Sequence, residues 1–473
     1  MQPSASLMLI GVHKYMKTLR RALRITDLFL AFLAAFLPRF ALWIYPGYGW
    51  KFLTIYDVKP YTVFGRELVS AFLTLDFKKA ASINVGVPPL GMFVIGLCSL
   101  IFKNLLDIYR AGLLAPILTA SFSALLVYLL LERFSRKAAI IASLLFALDP
   151  YLVQFSGAYL DAIGSFFVLI AMYFFLSSDK FSLKSSLATG FFMMLAILTK
   201  LTFAIFAAFF MILLILVERN YRLAGIIIMM SLFLLPLTPW LWFPDIFQKA
   251  VTSHILINSL LPPIIFGPVM IGIPEAYPWY ILTYFGMGQI HWNVLPSASH
   301  FLLFCVVIYC SLNRSLRMNR KMLIFLLASI LMVVFMPRNY WTTVWLGGII
   351  VGEGVLFKQF YPYYFYSTNL VTGVTACYLL FVRSPSNNGF NNGRYSILLL
   401  PVIFYCLTAP LTVVMSAFYP YWDLIFTLIM NFSIGSSPVS YYGFVACVIT
   451  SMILLLFFIF SIAIAMNITK GER

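Results

Sequence analysis

The segment of residues 56–90, YDVKPYTVFGRELVSAFLTLDFKKAASINVGVPPL, interrupts an otherwise apolar chain shortly after its first hydrophobic run. Only 10% of the chain is charged, yet five charged residues fall within 20 positions of this segment: Asp57, Lys59, Arg66, Glu67 and Asp76. A loop that only joined two membrane helices would need neither this length nor this density of charge. We therefore expect this loop to form part of a binding site.

The composition around this loop is that of an integral membrane protein. The chain has 473 residues, 62% of them hydrophobic, and its mean hydropathy is +0.97. Apolar runs of about 20 residues, long enough to cross the bilayer as helices, recur from end to end. The net charge of +17 comes from basic residues at the ends of these runs, as the positive-inside rule and anionic lipids favour, so nucleic acid is not expected as a partner.

The charges also predict which face of the membrane each loop occupies. Basic residues precede the first apolar run, 27–45, so the N-terminus is expected in the cytoplasm and the charged loop outside. The piece 88–102 is short and opens with two prolines, so we interpret it as a re-entrant or interfacial helix. With that interpretation, the basic segment 132–137 lies in the cytoplasm, while Asp161 lies outside with Asp57.

The rest of the chain is expected to cross repeatedly. A second long outer loop is predicted at 244–298, and the basic turn 314–321 is predicted to be cytoplasmic. Strict counting would place Arg383 and Arg394 outside, but treating 341–357 as a partial or paired outer segment places both inside, which we favour. The predicted organisation is a catalytic transmembrane module at 1–300, with outer loops 46–110 and 244–298, followed by transmembrane helices at 301–473.

Three charged residues at the predicted outer face are candidates for chemistry. Asp57 follows the first span directly, and a solvated loop acid is the simpler interpretation of it. Asp161 lies at the mouth of an apolar span, where an ionisable group is expensive and usually functional. Two acids on one face suit one role as base and another as orienting or metal ligand. Lys200 lies alone between two apolar segments, so it either snorkels to the headgroups or receives a phosphate.

Further basic residues, Lys59 and Arg66 among them, lie on the predicted outer face, where the positive-inside rule discourages them. They indicate an anionic ligand such as a lipid phosphate. The sequence has no nucleotide-cradling glycine motif at a strand-to-helix junction. The absence of this motif from the sequence is consistent with a sugar donor that is carried on a lipid rather than on a nucleotide.

The order of these motifs resembles a known family. Residues 57–77 (DVKPYTVFGRELVSAFLTLDF) and 87–90 (VPPL) are similar to the first extracytoplasmic loop of the GT-C glycosyltransferases. The branch resembled is that of the bacterial lipid A aminoarabinose transferases and protein O-mannosyltransferases. Residues 156–161 (SGAYLD) resemble the segment with the second family acid, 195–200 (LAILTK) its Ala-x-Leu-Thr-Lys, and 278–280 (PWY) its Pro-Trp-Tyr. The resemblance covers roughly residues 20–300 and rests on motif order, since each motif alone is weak.

The chain departs from the family pattern at three positions of the first loop. Val58 stands where the family has Glu, Val87 stands where it has Lys or His before the two prolines, and Pro60 replaces a basic residue next to Lys59. At these positions the chain therefore lacks side chains that would hold a metal or bind a phosphate in the family. Whether a divalent cation acts as cofactor, held by Asp57 and Asp161, is left open.

The resemblance implies a hexosyl- or pentosyltransferase. It would move a sugar, with inversion, from a polyprenyl (dolichyl-type) phosphate carrier to a hydroxyl of a protein, lipid or glycan acceptor at the extracytoplasmic face of the plasma membrane. It implies that Asp57 is the base or orients the acceptor, that Asp161 assists it or holds a cation, and that basic side chains neutralise the leaving phosphate. The expected substrate-binding residues are Lys59, Tyr61, Arg66, Glu67, Lys200, Trp279 and Tyr280.

The predicted fold is all-α: a polytopic transmembrane helical protein of the GT-C type, with roughly 11–13 spans and two extracytoplasmic loops. Two alternatives remain. A transporter or flippase for a lipid-linked solute would be expected to show repeated halves, and no internal repeat is found. A catalytically inactive GT-C-like assembly subunit is the other, because Val58 and Val87 replace a carboxylate and a cation.

Overall fold

A computed structural model describes the first half of the chain almost continuously and parts of the second half. The described residues are 5–44, 58–83, 88–157, 160–177, 182–200, 202–219, 221–234, 298–299, 302–303, 306–308, 319–334, 339–346, 349–358, 366–381, 399–400 and 402–403.

Eleven helices occupy the described part of the first half. They are α1 (Ala5–Trp43), α2 (Val58–Leu73), α3 (Phe77–Ser82), α4 (Pro89–Ile101), α5 (Ile108–Glu132), α6 (Arg136–Leu148), α7 (Pro150–Phe155), α8 (Asp161–Ser177), α9 (Leu183–Thr199), α10 (Thr202–Glu218) and α11 (Tyr221–Leu234). The described part of the second half contains α12 (Arg320–Val334), β1 (Asn339–Leu346), β2 (Ile349–Lys358) and α13 (Tyr366–Phe381).

Short polar residues start several of these helices. The Asp107 carboxylate accepts hydrogen bonds from the backbone N–H groups of residues 109 and 110 at the start of α5. Ser135 and Ser182 cap α6 and α9 in the same way. Because these caps satisfy N–H groups that have no partner inside the helix, they fix where each apolar run begins.

The helix α5 lies at the centre of the bundle and packs against α1, α4, α6 and α8. Helices α8, α9 and α11 pack in sequence, while α12 packs on α10 and α13 packs on α6. Phenylalanine rings fill the space between α8, α10 and α12: Phe210 lies 4.7 Å from Phe325 and 5.2 Å from Phe175, centroid to centroid. This core holds the helix ends in fixed positions.

The long helices run between two ends of the bundle. At one end, which we call the basic end, Arg136 contacts Asp27, Arg24 contacts Glu132, and Lys321 lies over the Phe175 ring. At the opposite end, which we call the site end, lie the last turn of α1, the α6–α7 junction, the start of α8 and the end of α9. The alternation of helices between two ends agrees with a polytopic membrane protein.

Two helical segments of the described residues are long and apolar enough to cross a membrane, namely Ala22–Trp43 and Ile108–Glu132. The other apolar helices found by the same criterion are shorter: α4, α8, α9 and α10. The predicted polytopic helical fold is confirmed, with one addition that the prediction did not include. Residues 339–358 contain the antiparallel pair β1–β2.

The strand pair bears on the interpretation of 341–357. A hairpin returns to the side from which it started, and this fits the paired outer segment that we favoured over a full crossing. The following helix, α13, ends at the basic end, because the Lys137 ammonium lies 5.5 Å from the Phe381 ring centroid. Arg383 and Arg394 lie outside the described residues, so their placement stays a prediction.

Candidate functional site

A buried ion pair forms the centre of the site end. The Lys200 ammonium lies 2.6 Å from Oδ2 of Asp161, and the two residues are only 7% and 3% exposed. The two positions are 39 residues apart in sequence. The structure therefore joins two charges that the sequence presents separately.

The helices on which these residues lie favour both charges. Asp161 is the first residue of α8, where the positive end of the helix dipole stabilises a carboxylate. Lys200 is the C-cap of α9, where the negative end stabilises an ammonium. The backbone of Lys200 is also fixed, because its N–H donates to Ala196 O and its carbonyl accepts from Phe203 N, both at 3.1 Å.

The helices within and directly after the charged loop lie against the neighbours of this ion pair. At the start of α4, a Cβ on Gly91 would meet the side chain of Leu160 at 2.9 Å and that of Thr199 at 3.1 Å, the residues that precede Asp161 and Lys200. Tyr61 of α2 packs against the apolar cluster that contains Leu160. Helices α2 and α4 thus cover the ion pair from one side.

A glycine contact holds these two covering helices together. A Cβ on Gly96 of α4 would lie only 2.1 Å from the backbone of Gly65 in α2, and a Cβ on Gly65 would meet Met92 O at 2.3 Å. Only glycine at both positions permits so close a crossing of the two backbones. The local sequence therefore sets how tightly the charged loop folds over the site end.

A second buried group of polar side chains lies at the site end, around Arg39 of α1. Arg39 is fully buried, and its Nη1 donates to Ala35 O (2.9 Å) and to Ala147 O (2.8 Å), while Nη2 donates to Phe146 O (3.2 Å). Its guanidinium also lies 5.2 Å from the Phe146 ring centroid. These bonds join α1 to the carbonyl groups of the last turn of α6, where a cation is favourable.

Asp149 provides the negative charge of this group. It is fully buried, caps α7 by accepting from Tyr151 N (3.1 Å), and accepts from both N (3.0 Å) and Oγ (2.7 Å) of Ser299. Arg39 lies within electrostatic reach of it. Asp149 therefore ties residue 299, in the second half of the chain, to the α6–α7 junction.

Two buried tyrosines connect the Arg39 group to the ion pair. Tyr151 and Tyr366 are fully buried, and both lie within electrostatic reach of Asp149 and of Asp161. The Trp43 indole donates to Val153 O (3.2 Å), and its ring occupies the space where Gly157 would carry a Cβ. The chain leading into Asp161 is consequently packed against the end of α1.

The predicted site residues divide into four groups by their placement. The structure brings together Asp161 and Lys200, with Tyr61 packed near them. Lys59 lies in the first turn of α2, and its side chain is outside the described part. The predicted residues outside the described chain altogether are Asp57, Trp279 and Tyr280.

Arg66 and Glu67 lie on another part of the α2 surface. Arg66 is partly exposed and Glu67 is exposed. With about 100° of rotation per residue, both lie roughly 120–140° around the helix from Tyr61. The structure therefore does not place these two residues on the face of α2 that packs near Asp161.

The sequence interpretation missed Arg39, Asp149, Tyr151 and Tyr366. One signal was available for Arg39, which follows Pro38 inside the first apolar span, where an ionisable residue is rare. Asp149 precedes Pro150 at a helix start, which predicts a cap but not full burial. For the two tyrosines no local signal was present.

The described residues do not assemble a metal site. Among them, no group of three histidine, cysteine, aspartate or glutamate side chains converges. The one predicted ligand that is described, Asp161, contacts the Lys200 ammonium.

The family comparison supports the resemblance found in the sequence. Residues 86–243 match the family model described as dolichyl-phosphate-mannose-protein mannosyltransferase. The matched range includes α4 to α11 and the Asp161–Lys200 pair. Over this range, the match supports the resemblance to the protein O-mannosyltransferases that the sequence motifs indicated. No curated protein sequence matches the chain.

Solved structures similar to this chain share little sequence identity with it. ArnT from Cupriavidus metallidurans bound to undecaprenyl phosphate is 14% identical with a TM-score of 0.46, over 95% of this chain and 77% of that one. The archaeal oligosaccharyltransferase AglB from Archaeoglobus fulgidus, in complex with an inhibitory peptide and a dolichol-phosphate, is 13% identical with a TM-score of 0.43. That match covers 94% of this chain and 56% of AglB.

Proposed function

We propose that this chain is a GT-C glycosyltransferase that transfers a sugar from a polyprenyl-phosphate carrier to an acceptor hydroxyl, with inversion, at the extracytoplasmic face of the membrane. The observation that carries the proposal is the buried Asp161–Lys200 pair beneath the charged loop, inside the range that matches the mannosyltransferase family model. A buried pair of charges at the mouth of apolar helices is costly, and such groups are most often retained for function.

The two ends of the bundle support the proposed sidedness. The basic end carries Arg24, Arg133, Arg136 and Lys321. By the positive-inside rule that end faces the cytoplasm. The site end, with Asp161 and the covering helices α2 and α4, then faces outward, where a lipid-linked donor would meet its acceptor.

The proposed reaction is a single displacement. The acceptor oxygen forms a bond to the anomeric carbon while the bond from that carbon to the phosphate oxygen breaks, and the acceptor proton moves to a carboxylate. We assign the proton to Asp57, which immediately precedes α2 in the sequence. The leaving group is the polyprenyl phosphate.

The second requirement of this reaction is a cation that neutralises the negative charge of the leaving phosphate. Lys59 of the charged loop is the proposed cation, and Arg66 is a second candidate for a phosphate bound on the other face of α2. Lys200 was predicted for the same role, but Asp161 holds its ammonium. Trp279 and Tyr280 remain proposed contacts to the acceptor or to the lipid carrier.

The test is a transfer assay with purified protein in lipid nanodiscs. Radiolabelled polyprenyl-phosphate sugars are supplied with protein, lipid and glycan acceptors, with and without a chelator. We expect Asp57→Asn and Asp161→Asn to lose at least about 100-fold in turnover, the usual scale for a positioned acid or base, while the protein remains folded.

Asp76→Asn is the matched control. Asp76 is an exposed acid of the same loop that caps α3 by accepting from Lys79 N at 2.9 Å, and asparagine caps equally well. Near-normal turnover by both site variants would refute the proposal. Binding of polyprenyl phosphate without turnover by the wild-type protein would instead identify an inactive subunit.

A further inference from the structure

We propose that Lys200 is a positioning residue for Asp161, and that its ammonium serves this carboxylate rather than the phosphate of the lipid donor. The inference deepens the proposed function and rests on it for the role of Asp161. It reverses the assignment of Lys200 that the sequence favours, in which a lone cation between apolar segments receives a phosphate.

The contact itself is the first argument. At 2.6 Å the ammonium and the carboxylate oxygen form a short charge-assisted hydrogen bond, and both side chains are almost completely withdrawn from water. Pulling Lys200 toward another anion would leave the Asp161 charge buried without this partner. Loss of one partner of a buried pair is strongly unfavourable.

The packing around the pair is the second argument. One turn after Asp161, Gly164 is pressed against the Phe203 ring, since a Cβ there would lie 2.1 Å from it. Phe203 is also bonded to Lys200, because its N–H donates to the Lys200 carbonyl at 3.1 Å. These two contacts fix the start of α8 relative to the start of α10, and with it the position of Asp161 relative to Lys200.

Charge balance is the third argument. Lys200 and Asp161 cancel each other, and Arg39 and Asp149 supply one charge of each sign beside them. The described part of the site end therefore has no surplus positive charge in its buried layer. Neutralisation of a phosphate falls to the cations of the charged loop.

The first experiment measures binding of polyprenyl phosphate without a sugar to the protein in nanodiscs. The variants are Lys200→Met and, as a matched control, Lys103→Met, which changes an exposed lysine between α4 and α5. We expect both to bind within about twofold of wild type. Removal of a direct phosphate contact would weaken binding by roughly tenfold or more, and that result would overturn the proposal.

The second experiment is a double-mutant cycle on thermal unfolding with Lys200→Met, Asp161→Asn and the double variant. Each single change leaves one charge or polar group buried without its partner, while the double variant leaves a neutral pair. We expect the double variant to be more stable than the sum of the single losses predicts. Additive losses would contradict the coupling.

The transfer assay separates this proposal from the proposed function. We expect Lys200→Met to lower kcat with the donor KM unchanged, and Lys200→Arg to restore part of kcat because it keeps the positive charge. A higher KM with unchanged kcat would overturn the positioning role. If wild-type protein transfers no sugar, the proposed function fails. The binding and unfolding experiments still decide whether the Lys200 ammonium pairs with the Asp161 carboxylate or with the phosphate of the lipid.

Discussion

The two ends of the helix bundle use the same residue types in opposite ways. At the site end, the side chains of Lys200 and Asp161 are 9% and 4% exposed. At the basic end, those of Arg24 and Glu132 are 51% and 24% exposed, although their 2.9 Å contact is nearly as short. The distance between charges is similar at the two ends, and the burial is not.

Burial changes what such a pair does. An exposed pair gains little, because water screens it and long side chains lose freedom. A buried pair has lost its hydration, so each charge depends on its partner. At the basic end, one basic residue can therefore replace another without changing how the protein is oriented in the membrane. At the site end, each buried charge requires its particular partner at a particular position.

The largest expected effect is that of Arg39→Met. This change removes three hydrogen bonds to carbonyl groups and leaves Asp149 buried without the nearby cation. We expect a loss of about 3–5 kcal/mol in stability, measured by thermal unfolding in detergent. Arg110→Met, a half-exposed arginine in the first turn of α5, is the control for burial, and an equal loss in both variants would show that burial of Arg39 adds nothing to its effect.

The next effect concerns the helices that cover the site end. Gly96→Val would push α4 away from the Gly65 backbone, and overpacking of this kind costs about 1–3 kcal/mol. We also expect transfer activity to fall, because α4 contacts the residues before Asp161 and Lys200. Gly225→Ala in α11 is the control, since nothing lies within 4 Å of its added Cβ. Unchanged activity in Gly96→Val would show that close packing of α4 on α2 is not needed for transfer.

A smaller effect is expected from Asp27→Asn at the basic end. Asp27 accepts hydrogen bonds from Arg136 Nε (2.7 Å) and Nη2 (3.0 Å) and from the Tyr128 hydroxyl (2.9 Å). The hydrogen bond from Arg136 to this carboxylate raises the pKa of Arg136 above its ordinary value. Arg136 is exposed, so salt should screen the interaction. The melting temperature should fall less than in Arg39→Met, and the difference from wild type should shrink as ionic strength rises. A salt-independent loss would mean that this pair behaves as a buried one.

The smallest effect is expected from Arg24→Gln. The contact of Arg24 with Glu132 is largely exposed, and such pairs contribute about 0.2–1 kcal/mol. Unfolding and transfer should both remain close to wild type. A loss as large as that of Arg39→Met would show that the basic end is as specific as the site end.

The sequence predicted the architecture and one half of the candidate site. Apolar runs and the basic segment at 132–137 indicated helices that alternate between two faces. Asp161 and Lys200 stood out because each is alone in an apolar context. Local pattern could not indicate that these two residues contact each other, since that depends on the approach of Gly164 to Phe203.

The second group at the site end was beyond local pattern for the same reason. Arg39, Asp149 and Tyr366 come from α1, the α6–α7 junction and α13, more than 100 residues apart in each case. Each alone fits an ordinary role: an arginine near a helix end, a cap, and a tyrosine at an interface. Their shared burial appears only once the helices pack.

By itself, the sequence determined that the chain lies in a membrane, which helix ends carry the basic charges, and that a charged loop follows the first span. These properties follow from hydropathy and charge, which act along the chain and need no knowledge of the fold. Only the tertiary structure decided that Lys200 faces Asp161, because the partner of a buried charge is set by which helices pack together. The charged loop that first drew notice contributes α2 and α4 as the cover of that pair.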